Sequence, residues 1–224
     1  MMFKGKSLSI LGDSISTYSG VSNNKDANLT IQHNPCFYKA PFPLEGTYWM
    51  RLLRELEMTL CVNNSWSGGN LSGMDNPDSG VNRVNNLSDN NGTAPDFIIV
   101  FMGINDFGRN VPLEVFAEDY EKTLSVIKEK YPDAKVCCVN IPDRYADTKA
   151  RTELFNNAIS RAVKNAGEGF FIADLFSSRL NNDFYYMNTV DGLHPDEDGA
   201  RIIYEIILEA FRNYEASIRI KNLG

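Results

Sequence analysis

The run Ile10-Leu11-Gly12-Asp13-Ser14-Ile15-Ser16 decides how the rest of the chain is read. Residues 6–11 alternate in polarity and then become continuously apolar, the pattern of a short buried strand. Gly12 at its carboxyl end lets the backbone turn sharply, and a serine follows two residues later. In open α/β sheets, reactive groups collect just beyond the carboxyl ends of strands. Ser14 is placed to act there, but a serine hydroxyl stays inert until a base takes its proton. The chain offers only two imidazoles, His33 and His194. The second lies in Asp191-Gly192-Leu193-His194-Pro195, with a carboxylate three residues ahead of it.

Outward from that strand, residues 17–46 form a long irregular stretch, and a loop of that length in a compact domain is usually functional or mobile. Residues 47–57 place Trp49, Leu52, Leu53 and Leu56 on one helical stripe. A second strand over 58–62 runs into Asn63-Asn64-Ser65-Trp66-Ser67-Gly68-Gly69-Asn70. Residues 73–95 are polar and turn-rich, with a short helix expected among loops. The unbroken apolar run of 96–102 predicts a strand buried on both faces, ending in Gly103-Ile104-Asn105-Asp106. Leu113, Phe116, Tyr120, Leu124 and Ile127 recur at spacings of three and four and predict a helix over 112–131. A fourth strand at 135–141, a helix at 148–166 closed by Gly167, and a fifth strand at 169–175 follow. Pro195 opens a last helix, where a missing N–H costs nothing. Strands alternating with long helices predict an α/β fold with a mostly parallel, doubly wound, five-stranded sheet. No repeat or linker interrupts it, so residues 1–224 are read as one domain.

The 224 residues suffice for a sizeable core. A net charge of −7 with no basic run argues against a nucleic-acid or anionic-membrane partner, either of which needs a concentrated cationic surface. No apolar segment approaches the roughly 20 residues that span a bilayer. Residues 1–7 enter the first strand without the apolar core of a signal peptide. A cytoplasmic location is therefore expected, or secretion if a leader has been removed. Cys36, Cys61, Cys137 and Cys138 show no CxxC spacing and are expected to be free, buried thiols. No cofactor or metal is expected, since one histidine and scattered acids (Asp13, Asp106, Asp191, His194) give no recognisable ligand spacing.

Each candidate residue has a plain reading. Ser14 could be a cap, Gly68-Gly69 a turn, Asn105-Asp106 a helix cap and His194 a surface loop residue. Together, however, they supply a nucleophile, a base, an orienting carboxylate and oxyanion donors. Here the sequence resembles the SGNH (GDSL-type) hydrolases: Gly12-Asp13-Ser14, Gly68, Gly103-Ile104-Asn105-Asp106 and Asp191-Gly192-Leu193-His194-Pro195 match that family's four blocks in order. Ile15 replaces the leucine of the name-giving motif, an apolar exchange. The second block fits Ser67-Gly68 better, with Gly69 the alternative. The resemblance implies a three-layer α/β/α, flavodoxin-like fold and an ester hydrolase working through Ser14, Gly68, Asn105 and His194.

The physical reading agrees. Ser14 would attack an acyl carbon, His194 would take its proton, and Asp191 would fix the imidazole tautomer. The Ser14 and Gly68 N–H groups and the Asn105 amide would meet the oxyanion. Asp13 and Asp106 are expected to be structural acceptors of backbone N–H bonds. Substrate evidence is thinner: Tyr18, Trp66, Phe107 and Tyr185 are candidate wall residues, with Phe37, Tyr38, Phe42 and Tyr186 nearby. Aromatic rims suit a sugar ring or a short acyl chain, and equally suit closing the core edge. A small acyl ester, such as an O-acetyl group on a carbohydrate, is the expected substrate. A non-hydrolytic carbohydrate-binding module is the alternative; nucleotide binding lacks its glycine motifs.

Overall fold

The computed structural model describes residues 2–18, 31–32, 40–143, 148–177 and 188–221. Its strands are β1 (Ser7–Gly12), β2 (Ile31–Gln32), β3 (Thr59–Ser65), β4 (Phe97–Phe101), β5 (Lys135–Val139) and β6 (Phe170–Ala173). All pair in parallel, in the order β2-β3-β1-β4-β5-β6. The five strands expected from the sequence are present. Two residues of the long 17–46 stretch add a short edge strand beside β3. Every residue of β4 is buried, as its unbroken apolar run requires of a central strand covered on both faces.

The helices are α1 (Tyr48–Glu55), α2 (Gly80–Arg83), α3 (Ile104–Gly108), α4 (Leu113–Lys130), α5 (Lys149–Ala166) and α6 (Glu197–Lys221). Helices α1 and α6 pack together, as do α4 and α5, giving helical layers about the sheet. Phe3, Phe97 and Phe211 cluster with centroids 5.4–5.6 Å apart where β4 meets α6. Phe116 and Phe155 meet at 4.7 Å between α4 and α5. Each such fully buried apolar side chain contributes about 1.5–3 kcal/mol through burial. The last helix begins later than Pro195 suggested. Pro195 pairs instead with Thr189 in an isolated antiparallel bridge, and Asp196 caps the helix by accepting from the Gly199 N–H at 2.8 Å.

This topology places β1 between β3 and β4, where the order of connection reverses. The crevice beyond the carboxyl end of β1 is therefore the switch point at which doubly wound sheets gather ligands. Ser14 stands directly beyond that end.

Candidate active site

The Gly12–Ser16 turn is built for close approach. A Cβ on Gly12 would lie 2.5 Å from Ser65 Oγ and 2.6 Å from Ser16 Cβ, so no larger residue fits without displacing both strands' ends. After it, Asp13 Oδ1 accepts from the Ile15 N–H at 3.0 Å and caps the 3-10 turn Ser14–Ser16. Thr17 Oγ1 donates to the Ser14 carbonyl at 2.9 Å, and Asn63 Nδ2 donates to the Ser16 carbonyl at 2.9 Å. The Ser16 and Tyr48 hydroxyls share a bond at 2.7 Å, which ties the turn to α1. Ser14 is held on a fixed support and is 3% exposed.

The second half of the site arrives from the far end of the chain. Ser14 Oγ lies 2.9 Å from His194 Nε2, and His194 Nδ1 lies 2.7 Å from Asp191 Oδ2. Asp191 Oδ1 accepts from the Leu193 and His194 N–H groups at 3.0 and 2.8 Å. One carboxylate thus shapes the loop with one oxygen and faces the imidazole with the other. Partial burial alone would raise the Asp191 pKa; the His194 and Leu193 bonds outweigh it and hold the carboxyl below its ordinary range. The Val190 N–H donates to the His194 carbonyl at 2.9 Å, and Thr189 Oγ1 accepts from the Gly192 N–H at 3.0 Å.

The remaining expected residues sit at the ends of β3 and β4. Gly68 has φ +73°, which side-chain-bearing residues adopt only at a cost. Gly69 instead donates its N–H to the Trp66 carbonyl at 2.9 Å. Asn105 lies in the first turn of α3, and its Nδ2 donates to the Gly69 carbonyl at 3.0 Å, which uses one of its two amide hydrogens. The neighbouring Asp106 accepts from the Leu71 and Ser72 N–H groups at 2.7 and 2.9 Å. Burial raises its pKa, with those two bonds opposing. Asp13 and Asp106 are thus acceptors that hold backbone, as their sequence setting suggested.

Two arginines near the site were not anticipated. Arg83, only 5% exposed, donates through Nη2 to the Gly12 carbonyl at 3.0 Å, through Nη1 to the Asn64 carbonyl at 2.5 Å, and through Nε to the Asp78 carbonyl at 2.7 Å. It ties the ends of β1 and β3 directly beneath Ser14. Burial lowers its pKa to about 10, with Asp13 and Asp78 opposing. Asp13 is the counterpart: burial raises its carboxyl to about 7 against the Ile15 bond and the Arg83 charge. Arg109 is exposed, and its Nη1 donates to the Gly68 carbonyl and to Asn70 Oδ1, both at 2.6 Å.

The candidate wall residues are less uniform. Trp66 is half-buried beside the Gly68 turn, and its N–H donates to the Gly12 carbonyl at 3.1 Å. Tyr18 is half-buried and donates its hydroxyl to the Phe42 carbonyl at 2.7 Å. Phe107 requires a correction. Its ring is 4% exposed, packs edge-on against Phe155 at 5.7 Å and is covered by the Arg151 guanidinium at 4.4 Å. Its ring belongs to the core cluster rather than to a rim. Tyr185, Tyr186, His33, Cys36, Phe37 and Tyr38 lie outside the described residues. The other three cysteines are free and buried.

A model of the GDSL-like Lipase/Acylhydrolase family matches residues 10–202, which contain all four motif blocks. A Bacteroides ovatus structure assigned as a GDSL-like lipase superposes with TM-score 0.68 at 22% identity, over 94% of this chain and 99% of that one. A family two carbohydrate esterase from Clostridium thermocellum, solved with cellohexaose, gives TM-score 0.70 at 17% identity, over 94% of this chain and 65% of that one. The psychrotrophic esterase EstA of a Pseudoalteromonas species gives 0.63 at 14% identity, over 94% and 99%. At these identities the likeness is one of fold. No curated protein matches the sequence. The four motif blocks and the parallel sheet that carries them thus place the chain in the GDSL-like lipase/acylhydrolase family, hydrolases that act on esters.

Proposed function

We propose that the chain is a serine esterase of small acyl esters that needs no metal, with Ser14 as nucleophile, His194 as base and Asp191 as orienting carboxylate. The observation that carries this reading is the continuous relay from Ser14 Oγ to His194 Nε2 at 2.9 Å and from His194 Nδ1 to Asp191 Oδ2 at 2.7 Å. With Nδ1–H donating to Asp191, Nε2 carries the lone pair and accepts the Ser14 proton as Oγ attacks the acyl carbon. The imidazolium then protonates the departing alkoxide. Water, deprotonated by the same imidazole, releases the acid from the acyl-enzyme. The oxyanion is met by the Ser14 N–H, the Gly68 N–H and the second Asn105 amide hydrogen. Gly68 is preferred to Gly69 because the Gly69 N–H is already committed to Trp66.

An O-acetylated carbohydrate is the substrate we favour. Half-buried Trp66 and Tyr18 border the nucleophile turn, and one fold relative is a carbohydrate esterase solved with a cello-oligosaccharide. The deciding experiment is stopped-flow hydrolysis of p-nitrophenyl acetate. The wild-type protein gives a burst of p-nitrophenol equal to the enzyme present, and Ser14→Ala loses the burst and more than about 10³-fold of turnover. Acetyl-xylan or acetyl-cello-oligosaccharides then test the substrate class by acetate release. Full turnover by Ser14→Ala, or glycan binding without hydrolysis of any ester, would overturn the proposal.

A further inference from the structure

Asn105 lies in the first turn of α3 and Arg109, four residues on, caps its carboxyl end, and both side chains reach the same neighbouring turn. They meet three successive residues of the turn after β3. Asn105 Nδ2 holds the Gly69 carbonyl at 3.0 Å, while Arg109 Nη1 holds the Gly68 carbonyl and Asn70 Oδ1 at 2.6 Å each. The Arg109 N–H also bonds the Asn105 carbonyl at 2.9 Å, which fixes the clamp's own geometry. Its Nη2 lies 3.3 Å from where a Gly68 Cβ would stand, so the guanidinium lies close against this glycine.

We propose that Arg109 is a positioning residue for ester hydrolysis: it locks the Gly68 turn to α3, so that the Gly68 N–H and the free Asn105 amide hydrogen point at one place. The proposal rests on the serine-esterase reading above and extends it to a residue that touches no reacting atom. Donors aimed at a developing oxyanion are effective only when they need no reorganisation during the reaction. The Gly68 peptide sits at positive φ in a glycine pair, and a turn of that kind has many alternatives to lose. Two charge-assisted bonds from one nitrogen restrict the turn. Among the described residues no carboxylate forms an ion pair with Arg109, whose bonds go to a carbonyl and an amide oxygen. Because Arg109 is exposed, its removal opens no core cavity.

The test uses the full chain and p-nitrophenyl acetate. Arg109→Ala is expected to lose roughly 10- to 100-fold in kcat with KM within about twofold of wild type. Arg109→Lys, a point charge without the planar fork, falls between the two. Millimolar guanidinium chloride restores part of the lost kcat in Arg109→Ala and leaves the wild type unchanged. If Arg109→Ala does not fold, Arg109→Gln, which keeps a donor toward the Gly68 carbonyl, takes its place and loses less. A kcat within about twofold of wild type overturns the inference, as does a loss confined to KM. So does a kcat loss that neither guanidinium nor lysine relieves, since that is the mark of general damage. Should wild type itself fail to hydrolyse the ester, or Ser14→Ala match it, the esterase reading falls instead.

Discussion

Beside Ser14, Asp13 keeps Oδ1 on the Ile15 N–H and leaves Oδ2 buried with no hydrogen-bond partner. Its folded pKa of about 7 lies above the ordinary 3.8, so across that interval the folded state holds a proton that the unfolded chain gives up. The stability associated with Asp13 is therefore complete below its unfolded pKa and falls as pH rises toward its folded one. Asp13→Asn removes the titration. Urea unfolding at about pH 4.5 and about pH 8 is expected to show wild type losing ground to the variant as pH rises; equal losses would show that Asp13 does not titrate in this range. The grouping of Ser14, Asp191 and His194 was legible because a hydroxyl, a carboxylate and an imidazole at strand ends have few joint uses, and the fold brings them within hydrogen-bond distance. Neither Arg83 nor Arg109 carries such a signal. An arginine in a polar stretch reads as solvated surface, and only the folded chain shows that Arg83 is enclosed. Phe107 erred the other way, since an aromatic residue after a strand end looks the same on a rim or in a core.

At the scale of elements, the ends of β1 and β3 depend on a side chain from α2. Arg83→Met leaves the Gly12, Asn64 and Asp78 carbonyls without this donor and strips Asp13 of its counter-charge. Unsatisfied buried groups cost about 1–3 kcal/mol each; the Gly12 carbonyl keeps the Trp66 N–H, so the Asn64 and Asp78 carbonyls carry most of the cost and a loss of about 2–4 kcal/mol is expected. Urea unfolding checks this. A double variant with Asp13→Asn should recover part of the loss at about pH 8, where an ionised Asp13 would lack its counter-charge, and little of it at about pH 4.5. A loss below about 1 kcal/mol would show that solvent replaces the guanidinium readily. Long periodic elements such as α4, α5 and β4 were legible because their patterns are local. The short helices were less so. Helix α3 is held by Asp106 bonding residues 34 and 35 positions away, and β2 by pairing with β3, neither of which leaves a local trace.

Across the whole molecule, the hydroxyl and the imidazole that meet at 2.9 Å are separated by 180 positions in the chain. The first sits just beyond the end of β1, on a sheet whose β5 residues Cys137 and Cys138 are 0% exposed. Burial drives the Cys137 thiol well above its usual pKa and Cys138 to about 12, so neither reacts while the sheet is closed. The imidazole belongs to a loop whose Asp191 side chain is 50% exposed and whose Asp191 carboxylate bonds the loop's own backbone. Regions with few buried contacts open before the core does. In rising urea, ester hydrolysis is therefore expected to disappear before Cys137 and Cys138 become open to iodoacetamide. Coincident midpoints would show that loop and sheet come apart as one unit.

Asp191 and His194 ride on a single tight turn, with the carboxylate bonded to the backbone of the residue it serves. In the mechanism proposed above, one turn therefore carries both the base and its anchor, so a substitution that displaces the turn removes both together.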